Sequence, residues 1–125
     1  VKYLVVIDDD KLVEEYLEQF LRRAGYGEKS FSDPKEAFDF ITGNREEVAL
    51  VITDLTMPCM TGVQLGEELM KAAVGIPIIL FTGDAVPPDA DDLSSNIKIV
   101  LQKPITRKEF IHAVESLIGQ AQDVG

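Results

Sequence analysis

The sequence predicts a doubly wound α/β domain, an open parallel sheet of five strands with helices on both faces. Three observations carry that expectation. Short apolar runs alternate with amphipathic helical patterns along the whole chain, the mark of repeated strand–helix units. One run, Val48 to Ile52, is apolar throughout, as a central parallel strand covered on both faces must be. The chain has 125 residues, 46% hydrophobic and 27% charged, which supports one substantial core in a single domain spanning 1–125.

The elements follow in order. Tyr3 to Ile7 is a compact β-branched run that stops abruptly at Asp8-Asp9-Asp10, a buried strand ending at a polar edge. From Leu12 the period becomes helical, with Val13, Tyr16, Leu17, Phe20 and Leu21 on one stripe and Glu14, Glu15, Glu18, Arg22 and Arg23 off it. Gly25 closes that helix. A weak strand around Lys29 to Phe31 precedes Asp33-Pro34-Lys35-Glu36, which supplies an N-cap, a first-turn proline and a glutamate three residues past the cap. The helix so opened turns Ala37, Phe38 and Ile41 inward and ends near Gly43-Asn44.

After the Val48 to Ile52 strand, Thr61-Gly62 starts a third helix with Leu65, Leu69 and Ala72 or Ala73 on its buried side. Ile76 to Phe81 is the fourth strand, with Pro77 near its start, where a missing donor is tolerated. Asp84 to Asn96 holds Pro87-Pro88, four aspartates and Ser94-Ser95, so the fourth of about five helices is expected to be short or irregular. Ile97 to Leu101 makes the fifth strand. Thr106 and Glu109 form a capping box before a last helix that buries Phe110, Ile111, Val114, Leu117 and Ile118.

Charge narrows the function. Asp+Glu 22 against Lys+Arg 12 leaves a net charge of −10, which argues against direct nucleic-acid binding, because phosphate contacts need a cationic face. Cys59 is alone and there is no Cys/His cluster with zinc spacing, so a reducing, cytoplasmic setting is expected. No apolar run approaches the roughly 20 residues of a membrane span, and no signal peptide opens the chain. A first residue other than Met suggests a domain taken from a longer protein.

In doubly wound sheets the ligand site lies beyond the carboxyl ends of the strands. The first strand is followed by Asp8 and Asp9, the third by Asp54, the fourth by Thr82 and the fifth by Lys103-Pro104, so these groups share one edge. Two carboxylates about 4 Å apart repel by roughly 4 kcal/mol at an effective dielectric near 20. A cation must therefore sit among them, or one must keep a proton. An all-carboxylate set suits a hard cation such as Mg²⁺. Lys103 and the Thr82 hydroxyl could then hold further oxygens of a phosphoryl group.

This constellation resembles the receiver domain of two-component response regulators, of the chemotaxis-regulator type. The matching motifs are Val5-Val6-Ile7-Asp8-Asp9-Asp10, Thr53-Asp54-Leu55-Thr56-Met57-Pro58 with Met60-Thr61-Gly62, Phe81-Thr82-Gly83 and Lys103-Pro104. The resemblance implies a flavodoxin-like sheet of order 2-1-3-4-5. It also implies that Asp54 accepts a phosphoryl group from a phosphohistidine on a sensor histidine kinase or a histidine phosphotransfer domain. Asp8, Asp9, Asp54 and the Thr56 carbonyl would bind Mg²⁺, while Lys103 and Thr82 would meet the phosphoryl group and turn its arrival into a conformational switch. A cis Lys103-Pro104 bond belongs to the same expectation.

Two features depart from the family pattern. Val100 stands where an aromatic residue is usual, three positions before Lys103, and the proline- and aspartate-rich 84–96 stretch replaces a regular helix. Met60-Thr61-Gly62 and Asp33-Pro34 look more like receivers attached to hybrid sensor kinases than like those of DNA-binding regulators. Asp10 reads as an acid favouring the first helix's dipole, His112 as a structural or surface residue, and Cys59 and Met60 as loop residues that are partly exposed or packed rather than redox-active. A Mg²⁺-dependent aspartyl phosphohydrolase would share Asp54, yet it needs a second acid two residues on, where Thr56 stands. A flavin- or nucleotide-binding fold would need a glycine- and hydroxyl-rich loop after the first strand, which is absent. The chain is therefore expected to be no enzyme beyond its own phosphorylation and dephosphorylation.

Overall fold

The computed structural model describes residues 2–83 and 93–120. In chain order the elements are β1 (Tyr3–Ile7), α1 (Lys11–Arg23), β2 (Gly27–Phe31), α2 (Pro34–Gly43), β3 (Val48–Asp54), α3 (Gly62–Lys71), β4 (Ile78–Thr82), β5 (Ile97–Gln102) and α4 (Arg107–Ile118). The strands form one five-stranded sheet of order β2-β1-β3-β4-β5, and every neighbouring pair is parallel. The predicted doubly wound order is therefore present. The fourth-helix expectation falls largely on 84–92, outside the described residues.

Side-chain alternation divides the core in two. From β1, Leu4 and Val6 join Leu17, Leu21, Phe110 and Val114 on the α1/α4 face, while Val5 and Ile7 join Ala37, Ile41, Leu65 and Leu69 on the α2/α3 face. Because both faces are covered, Leu50, Val51 and Ile52 are all 0% exposed, which explains the unbroken apolar run in β3. Each such side chain contributes about 1.5–3 kcal/mol.

Local signals set the helix ends. Asp10 accepts from Leu12 N, Asp33 from Lys35 N, Thr61 from Gln64 N and Thr106 from Glu109 N. At α3 the box is reciprocal, since the Gln64 side chain accepts from Thr61 N at 2.9 Å. Gly25 has φ 92 after α1, a left-handed residue where glycine carries no penalty.

Three expectations need correction. Glu14 is buried with Leu17 and Leu21 rather than lying off the stripe. Positions 14, 17 and 21 follow the helical period. The alanine expected on the buried side of α3 is Ala72, which packs against the core, while Ala73 is exposed and left-handed at φ 59. β4 begins at Ile78 rather than Ile76, although the Pro77 carbonyl still accepts from Val51 N at 3.0 Å. β2 reaches back to Gly27, since register with β1 extends a strand that has little apolar signal of its own.

Candidate functional site

Strand order brings the chemistry together. β1 and β3 lie side by side at the switch point, with Ile7 in register with Thr53, so Asp8 emerges next to Asp54. Asp54 is in register with Phe81 and Thr82 with Gln102, one residue before Lys103. Ligand oxygens of Asp8, Asp9 and Asp54 all lie within 4.8 Å of one another.

Asp8 is fully buried. Its Oδ1 accepts from Asp10 N at 2.8 Å, while its buried Oδ2 has no hydrogen-bond partner. Lys103 Nζ donates to Asp54 Oδ2 at 3.2 Å and stands 3.8 Å from Asp8 Oδ2. The ammonium also lies 5.2 Å from the centroid of the Phe81 ring, within cation–π range. Thr82 is buried, and its carbonyl accepts from Lys103 N at 2.7 Å, which ties the ends of β4 and β5 together. The Lys103-Pro104 bond is cis.

The loop after Asp54 is fixed by backbone contacts. Leu55 N donates to Phe81 O and Gly62 N to Leu55 O, both at 2.8 Å. Met57 is buried and receives a weak contact from Thr53 Oγ1 at 3.7 Å. At Gly62 an added Cβ would meet the Leu80 side chain and come within 2.6 Å of Asp54 O, so this glycine lets α3 start against the strand. Thr56 N approaches Asp54 Oδ1 at 3.4 Å.

Electrostatics follow from this crowding. Burial, reinforced by Asp54 and Asp9 against the Asp10 N–H and Lys103, pushes the Asp8 carboxyl up to about 6. Burial works against the Lys103 charge, but Asp54 and Asp8 outweigh it and raise the ammonium above its usual value. A cluster of oxygens with one buried carboxylate atom that accepts no hydrogen bond fits a divalent hard cation, which would remove the repulsion that lifts Asp8.

The sequence-predicted Asp8, Asp9, Asp54 and Lys103 thus meet at one site, with Thr82 at the end of the adjoining strand and Thr56 two residues past Asp54. Asp10 caps α1, His112 is exposed on α4 and Cys59 is exposed in the loop. Val100 packs with the α2/α3 face. Sequence reasoning did not assign Phe81 its place beneath Lys103. Its position directly before Thr82 at the end of an apolar strand was the available signal.

Comparison with known proteins gives the family and the fold. The family model for the response regulator receiver domain matches residues 4–115. Response regulator MprA of Mycobacterium sp. (strain KMS) is 29% identical over 116 residues, covering 92% of this chain and 50% of that protein. Transcriptional regulatory protein GlrR of Escherichia coli (strain K12) is 31% identical over 120 residues, covering 95% of this chain and 27% of that protein. The chain thus spans half or less of these relatives. Among solved structures, FixJ-N is similar at TM-score 0.81 and 27% identity, covering 92% of this chain and 91% of that one. A receiver domain protein from Clostridium thermocellum matches in fold at TM-score 0.83 and 24% identity, with 94% of each chain covered. No described helix is long and apolar enough to cross a membrane.

Proposed function

Because this chain belongs to the response regulator receiver family of two-component signalling, we propose that Asp54 is its phosphoacceptor. The donor is the phosphohistidine of a sensor histidine kinase or a histidine phosphotransfer domain. The observation that carries this reading is the meeting of Asp8, Asp9 and Asp54 within 4.8 Å, with Lys103 bonded to Asp54 at 3.2 Å.

A carboxylate oxygen of Asp54 forms the new bond to phosphorus while the donor's phosphorus–nitrogen bond breaks and the electron pair returns to the imidazole. Lys103, already beside Asp54, follows the transferred charge onto the phosphoryl oxygens, and the Thr82 hydroxyl reaches another. Asp8, Asp9, Asp54 and the Thr56 carbonyl would hold Mg²⁺, which supplies charge neutralisation on the phosphoryl oxygens when bound. The switch then lies in the new partners of Thr82 and Lys103. With Val100 in place of an aromatic residue, an inward ring movement at that point is not available to it. We also take this receiver to be one part of a larger cytoplasmic signalling protein, a hybrid sensor kinase on the motif likeness of Met60-Thr61-Gly62 and Asp33-Pro34.

Incubation with a small acyl phosphate and Mg²⁺ should label Asp54 once, and Asp54→Asn should abolish the label. Label retained by the variant refutes the assignment. Rapid turnover of diverse phosphoesters, without a stable beryllofluoride complex, would instead favour a phosphohydrolase.

A further inference from the structure

α1 meets β2 through a polar seam. Glu28 and Ser30 of β2 are in register with Leu4 and Val6 of β1, which face the α1/α4 side. Arg22 Nε donates to Glu28 Oε1 at 2.8 Å and Ser30 Oγ donates to Glu28 Oε2 at 3.2 Å. Along α1, Glu14, Glu18 and Arg22 are spaced four apart and stack on one face, with Arg22 3.8 Å from Glu18. Arg22 therefore serves the far end of the seam.

Two turns earlier in α1, Glu14 is 7% exposed and its buried Oε2 has no hydrogen-bond partner. The cation paired with it, Lys11, stands 4.0 Å from the other oxygen on a side chain that is 77% exposed. An ionised carboxylate with one orphaned oxygen is costly there, and a solvent-screened lysine offsets little of that cost. A proton on Glu14 would turn the orphan into a donor with Glu18 one turn away.

We propose that Glu14 is a proton-binding site that steadies the first turns of α1. Protonated, it donates to the Glu18 carboxylate; ionised, it repels Glu18 and loosens the first turns of α1, which follow directly from Asp9 and Asp10. Burial, with Glu18 and Glu15 adding to it and Lys11 opposing, raises the Glu14 carboxyl above the ordinary 4.5. Of the other groups on this side of the sheet, Glu28 is engaged by Arg22 and Ser30 and Asp8 by the Asp10 N–H and Lys103. α4 packs here through Phe110, Ala113 and Val114, and its charged Arg107, Lys108, Glu109 and Glu115 are exposed. The proposal is independent of phosphotransfer.

A folded-state value above the unfolded one means that the folded chain binds this proton more tightly, so ionisation of Glu14 lowers stability as pH rises. The test is a carbon-13 NMR titration of the Glu14 carboxyl in the full chain, with melting curves of wild type, Glu14→Gln and Glu18→Gln. Glu14 should titrate above 4.5 and move towards that value in Glu18→Gln. Glu14→Gln should melt above wild type at ~pH 8 and level with it at ~pH 4. A Glu14 midpoint at or below 4.5, or a Glu14→Gln curve level with or below wild type at every pH, overturns the proposal.

Discussion

Lys103 and Asp54, separated by 49 positions in sequence, share a hydrogen bond of 3.2 Å. The same ammonium stands 3.8 Å from Asp8, so Lys103 neutralises the acidic site while no cation occupies it and is placed to follow charge that arrives on Asp54. Lys103→Ala is expected to keep divalent binding, since the oxygen ligands remain. It should slow phosphorylation from a small donor by roughly a hundredfold, the scale of losing one preorganised charge at a reacting centre. Its spectroscopic response to beryllofluoride should also be lost. Metal titration followed by labelling kinetics checks both, and an unchanged response would show that Lys103 does not couple the site to the fold.

Asp8 predicts a pH dependence with a definite sign. Its carboxyl is raised from 3.8 to about 6, so the folded, metal-free chain binds that proton more tightly than the unfolded chain. Ionisation therefore costs stability as pH rises through this window, by at most about 3 kcal/mol at neutral pH. Asp8→Asn should be more stable than wild type in chelator above the window, and the difference should vanish below it. Urea unfolding across pH measures that difference, and one that is constant with pH would contradict the assignment. Mg²⁺ binding by wild type should weaken below ~pH 6, as protons compete for the same oxygen.

Gly62 predicts a steric effect. A methyl group there meets the Leu80 side chain and backbone of Asp54, and the backbone cannot yield without moving the strand end. Gly62→Ala should lose about 3 kcal/mol of stability and slow Asp54 labelling, because the displaced carbonyl belongs to the phosphoacceptor itself. Chemical denaturation and labelling of the folded fraction separate the two effects.

Much of this was legible beforehand because local signals are strong where both faces of a strand are covered. The apolar β3 run ending at Asp54 and the acids after β1 marked the functional edge. β2 was faint because its sequence, GEKSF, is supported by register with β1 and not by its own hydrophobicity. Glu14 was misplaced because its spacing also fits a solvent-facing acid.

The sequence by itself determined the element order, the helix caps at Asp10, Asp33, Thr61 and Thr106, and which reactive residues follow which strands, because these depend on periodicity and neighbours along the chain. Only the tertiary structure decided that Lys103 reaches both Asp54 and Asp8, that it lies over Phe81, and that Glu14 is buried. Those facts depend on strand order and register, which place side chains from distant segments within a few ångströms, where charge and burial set their chemistry.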